Sequence, residues 1–127
     1  MLALSSMENR IVLIVDDDAS LREVLQEALE LEHHLAAVAS DGVAALRWLR
    51  QHGIPCLILL DLMMPTMNGW EVVDELVKDD RLAQVPIVII TAFGKDLGNA
   101  AGLPVLRKPI ELDDLLRVVD SYCPPEA

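Results

Sequence analysis

The chain has 127 residues, enough for one domain with one core; over half of them are hydrophobic and only four are aromatic, so the core must be aliphatic. A net charge of −11 argues against direct binding to nucleic acid or to an anionic membrane surface. No apolar run approaches the length of a membrane span, and residues 1–10 lack the basic stretch and apolar core of a secretion signal, so a cytoplasmic protein is expected.

The first predicted element is a strand over 10–15, carrying Ile11, Val12, Leu13, Ile14 and Val15. A helix follows with Leu21, Val24, Leu25, Ala28 and Leu29 at helical spacing. Ser20 and Glu23 have capping-box spacing, with Asp18 as a competing cap. A weak strand is predicted over 34–38, then a helix over 41–51 that stops near Gly53. The run from Cys56 to Leu60 is a buried strand ending at Asp61, and a helix starts near Asn68 and reaches about Lys78. Strands over 87–90 and 105–106 precede a last helix with Leu112, Leu115, Leu116 and Val119 on one face. Residues 1–8 and 124–127 read as frayed ends. Strands alternating with helices imply a parallel sheet covered on both faces.

Four of these strands end in chemistry. The first empties into Asp16-Asp17-Asp18, the third stops at Asp61, the fourth at Thr91 and the fifth at Lys108-Pro109. In a parallel sheet these groups share the edge at which open α/β sheets bind ligands. Converging carboxylates repel, so the site takes up a proton or a cation. Oxygen-only ligands favour a hard ion such as Mg²⁺, held by Asp17 and Asp61 with Asp16 direct or through water. An ammonium and a hydroxyl beside that ion suit a dianionic phosphoryl group. Asp61, alone at a central strand end, is the candidate nucleophile, because a carboxylate can accept phosphate as an acyl phosphate.

The chain resembles the receiver domain of bacterial two-component response regulators. The resemblance rests on Val15-Asp16-Asp17, on the stretch Asp61-Leu62-Met63-Met64-Pro65-Thr66-Met67-Asn68-Gly69, on Thr91-Ala92 and on Lys108-Pro109, in family order across nearly the whole chain. It implies a flavodoxin-like, doubly wound sheet of five parallel strands in the order 2-1-3-4-5, the order known for a chemotaxis member of this family. It implies one receiver domain over 1–127, with its core over about 9–122. Asp61 is then the phosphoacceptor. Asp16, Asp17, Asp61 and the Met63 backbone carbonyl hold Mg²⁺ (or Mn²⁺), and Thr91, Ala92 and Lys108 contact the phosphoryl group. The Lys108-Pro109 bond is expected to be cis. The donor would be a histidine kinase or a histidine phosphotransfer protein. The domain would assist its own phosphorylation and dephosphorylation without being a turnover enzyme, and would switch a surface read by an output partner of unknown identity. A dimer is possible.

Two features depart from the family pattern. Val105 replaces the Tyr or Phe common three residues before the lysine, which puts an inward-turning ring out of reach. Only sixteen residues separate Thr91 from Lys108, so a fourth helix is expected to be shortened or replaced by a loop, with an altered output surface. Met63 and Phe93 flank the acceptor and neither supplies a base to activate water, which predicts slow loss of phosphate. The bland readings are reduced Cys56 and Cys123, surface positions for His33, His34 and His52, and packing roles for Trp48 and Trp70. The rivals are a haloacid-dehalogenase-type aspartyl-phosphate phosphatase and a pseudo-receiver that never takes phosphate. The first needs an acid two residues after its nucleophile, where Met63 stands. The second usually lacks one of the acids or the lysine, and all are here.

Overall fold

Residues whose neighbours alternate between two buried faces form the strands. The computed structural model describes residues 10–92 and 102–124. Its strands are β1 (Ile11–Val15), β2 (Leu35–Ala39), β3 (Leu57–Asp61), β4 (Ile87–Thr91) and β5 (Val105–Arg107). All pair in parallel, in the order β2-β1-β3-β4-β5, as expected. Four helices are present among the described residues: α1 (Ala19–Leu31), α2 (Gly42–His52), α3 (Gly69–Val77) and α4 (Leu112–Tyr122). The expectation of a shortened helix between Thr91 and Lys108 falls on residues 93–101, outside the described residues, as does Phe93.

The period of two along each strand divides the core. Leu13, Val15, Ile58, Leu60, Ile87 and Ile89 pack with α2 and α3 through Leu46, Leu49, Val72 and Leu76. Val12, Ile14, Leu57, Leu59, Val88 and Ile90 pack with α1 and α4 through Leu25, Leu29, Leu115 and Val119. β3 and β4 are buried at every residue, which explains why their sequences read as unbroken apolar runs. β2 is an edge strand with Leu35 and Val38 exposed, hence its weak signal.

Local signals set the helix starts. Asp18, not Ser20, caps α1: its side chain accepts from the Leu21 N–H at 3.1 Å. Asp41 caps α2 by accepting from Ala44 N–H. Asn68 and Glu71 form a reciprocal capping box on α3, a pairing already spelled in the sequence as Asn-x-x-Glu.

Two bland expectations are overturned. Cys56 and Cys123 are not reduced thiols but a disulfide, with Cα atoms 5.6 Å apart across a sequence separation of 67. His34 is not a surface residue. It is 4% exposed and its Nε2 lies 2.8 Å from Asp120 Oδ1 on α4, because the chain turns inward after α1 to start β2. Trp48 and Trp70 do pack against the α2/α3 side of the core.

Candidate functional site

The register of the sheet brings the strand-end groups together. Val15 pairs with Leu60, Asp61 with Ile90 and Thr91 with Arg107, so Asp16, Asp61, Thr91 and Lys108 crowd one edge. The main chain fixes each in place. Asp16 N–H donates to the Ala39 carbonyl, Lys108 N–H donates to the Thr91 carbonyl, and Met63 N–H donates to Asp61 Oδ1 at 3.2 Å. The Lys108-Pro109 bond is cis, as expected.

The turn after Asp61 closes tightly, and Gly69 makes that possible. A Cβ on Gly69 would lie 2.7 Å from the Asp61 carbonyl oxygen and 2.9 Å from Leu62 Cα. Gly42 has a like role where α2 meets α3: its Cβ would lie 2.7 Å from Val72 Cγ2.

Carboxylate oxygens of Asp16, Asp17 and Asp61 lie within 4.8 Å of one another. Asp16 and Asp61 are buried, whereas Asp17 is exposed. Lys108 Nζ lies 2.9 Å from Asp16 Oδ2 and 3.8 Å from Asp61 Oδ2. Lys108 Nζ is thus the close partner of the buried Asp16 Oδ2, which takes no further hydrogen bond. One ammonium therefore faces three acids. Burial, and then the charge of Asp16, push the Asp61 carboxyl up from 3.8 to about 6, against the pull of Lys108 and the Met63 N–H. Burial pulls Lys108 down, but its contact with Asp16 and the charges of Asp61, Asp16 and Asp17 outweigh that, so its pKa is raised.

A small hard cation suits this donor set. It would share the buried Asp16 Oδ2 with Lys108 and offset the surplus negative charge, using oxygen ligands alone. Nothing softer is called for, since neither thiol nor imidazole faces the acids among the described residues.

The response regulator receiver domain family matches residues 12–120. The chain belongs to that family. Among curated relatives, this receiver domain is 40% identical over 92 residues to the "Probable transcriptional regulator ycf27" of Guillardia theta, covering 72% of this chain and 35% of the relative. It is 40% identical over 110 residues to the "Transcriptional regulatory protein CpxR homolog" of Haemophilus influenzae, covering 83% of this chain and 46% of the relative. The receiver thus spans less than half the length of these two relatives. Among solved structures it superimposes on the chemotaxis protein CheY4 of Vibrio cholerae with a TM-score of 0.79 at 27% identity, covering 88% of this chain and 97% of that one.

Of the residues expected at the site, Asp16, Asp17, Asp61 and Lys108 meet as described, and Thr91 ends β4 fully buried beside them. Ala92 follows at the exposed bend, and Met63 is 57% exposed. Val105, at the departure from the family pattern, is 37% exposed on β5. Arg22 is a participant that the sequence reading missed: its Nη1 donates to the Asp16 main-chain carbonyl at 2.7 Å. Its position one turn into α1 offered only a surface arginine, and only folding aims it back at the acid turn.

Proposed function

We propose that Asp61 accepts a phosphoryl group from the phosphohistidine of a histidine kinase or a histidine phosphotransfer protein, in a reaction that requires Mg²⁺ or Mn²⁺. The observation that carries this reading is the meeting of Asp61 with two further acids and Lys108 at the end of β3. Asp16, Asp17 and Asp61 would hold the ion, with the Met63 carbonyl as a further ligand. Bound there, it supplies Lewis-acid stabilisation of charge on the phosphoryl oxygens.

The chain's own groups do the rest. An Asp61 oxygen attacks phosphorus, the P–N bond of the donor breaks, and its electron pair stays on the imidazole nitrogen. Met63 N–H, already on Oδ1, orients the carboxylate so that Oδ2 faces Lys108. Lys108 offsets charge on the incoming phosphoryl oxygens, while the Thr91 hydroxyl and the Ala92 main-chain N–H donate hydrogen bonds to them. The domain assists its own phosphorylation and dephosphorylation and is not a turnover enzyme. Met63 supplies no base for water, so phospho-Asp61 is expected to outlast seconds.

Phosphorylation then shifts a two-state equilibrium in the segments carrying Thr91 and Lys108, and with it a partner surface. Two of the relatives, the ycf27 and CpxR-homolog proteins, are transcriptional by name and more than twice as long as their matched part. An attached output domain, and not this strongly acidic receiver, would then contact DNA. The test is acetyl phosphate labelling followed by intact mass. Wild type with Mg²⁺ is expected to gain one phosphoryl group, and Asp61→Asn none. Labelling of Asp61→Asn, or equal labelling of wild type in EDTA, would overturn the proposal.

A further inference from the structure

The sheet rim opposite the acids holds a second reactive pair. Cys56 immediately precedes β3, the strand that ends in Asp61, and Cys123 caps α4. Cys123 is 4% exposed and packs with Leu115 and Val119, while Cys56 is half-buried against the same cluster. One turn before Cys123, Asp120 reaches the buried His34 ahead of β2. The last turn of α4 is therefore tied to the rim at two points, one a covalent bond and one a side-chain hydrogen bond. The covalent loop spans 67 residues and encloses Asp61, Thr91 and Lys108. Its helix starts four residues after Lys108, so the seating of α4 bears directly on the segment that carries the ammonium.

Either redox state is compatible with this surrounding. Cys56 Sγ lies 3.4 Å from the Ile11 carbonyl oxygen, so a reduced thiol there has an acceptor in place. Cys123 sits among apolar side chains, where a neutral thiol is well accommodated. The last turn of a helix is also where local opening is easiest, which gives a reductant access without global unfolding.

We propose that Cys56 and Cys123 form a reversible dithiol–disulfide site, exchanged by thioredoxin-class or glutathione-class partners, whose state sets how firmly α4 is held to the sheet. Its bearing on signalling rests on the phosphoacceptor reading of Asp61. Oxidation joins the two sulfurs. Their two protons and two electrons pass to the partner disulfide, which leaves as two thiols. Reduction is the reverse, with a partner dithiol becoming the disulfide. In a reducing compartment such a bond is characteristically transient or redox-sensing.

The experiment uses the full chain. After treatment with oxidised glutathione, both cysteines are expected to resist alkylation in a monomer, and reduced thioredoxin is expected to restore both. Reduction should raise the global unfolding constant in urea by about a thousandfold, the effect of opening a loop of this length. It should also speed hydrogen exchange in α4 and change the lifetime of phospho-Asp61. Cys56→Ser should behave as the reduced form and ignore oxidant, and reduced wild type gives the same readout should that variant fold poorly. Cysteines that stay alkylatable after oxidant, or an unfolding constant and α4 exchange unchanged by reduction, would overturn the proposal. Parallel acetyl phosphate labelling keeps the two readings apart, because absence of label in both redox states defeats the Asp61 assignment and leaves the thiol result standing on its own.

Discussion

Replacing Asp61 by Asn should stabilise the fold at neutral pH. The acid is 3% exposed, faces Asp16, and has its carboxyl pushed up from 3.8 to about 6. The folded state therefore binds the Asp61 proton more tightly than the unfolded chain does. Stability is then lost as pH rises from about 4 to 6 and stays lower above that. A displacement of this size corresponds to about 3 kcal/mol, which already includes the favourable pull of Lys108. Water at the mouth of the pocket screens some of it, so a gain of about 1–3 kcal/mol is expected for Asp61→Asn above pH 7. Asn keeps an oxygen for the Met63 N–H, so the turn is retained. The assay is urea unfolding in EDTA from pH 4 to 8, followed by the fluorescence of Trp48 and Trp70. The advantage of the variant should shrink towards zero as pH falls to 4. Adding Mg²⁺ should close the gap at pH 7.5 by stabilising wild type alone. An Asn variant less stable than wild type at pH 7.5 without metal, or an advantage independent of pH, would refute the electrostatic account.

Other substitutions probe the remaining contacts. Lys108→Met removes the one charge that lowers the Asp61 pKa, so carbon-detected NMR should find that carboxyl titrating above 6. Gly69→Ala places a methyl 2.7 Å from the Asp61 carbonyl oxygen; a loss of about 1–3 kcal/mol in urea unfolding is expected, with slower acetyl phosphate labelling as the acceptor turn shifts. Asn68→Ala breaks the capping box of α3 and should cost about 1 kcal/mol while leaving the labelling rate near wild type. Equal stability of Asn68→Ala and wild type would show that the turn, not the cap, holds the start of α3.

Much of this protein is legible locally. Apolar runs buried on both faces mark β1, β3 and β4 without ambiguity, and the acid, hydroxyl and amine at their ends follow from where each run stops. Helical spacing marks α1 and α4, and short-range caps mark where helices begin. These features depend on neighbours within a few residues, so the order of amino acids determines them directly. What the tertiary structure decided are meetings between distant segments. Cys56 finds Cys123 across 67 residues, and His34 is buried because Asp120 awaits it on α4. Gly42 must be glycine because α3 arrives beside it, and Arg22 turns back to the Asp16 carbonyl. No periodicity encodes such pairings, since each depends on how whole elements dock and not on the conformation of either partner's own stretch of chain.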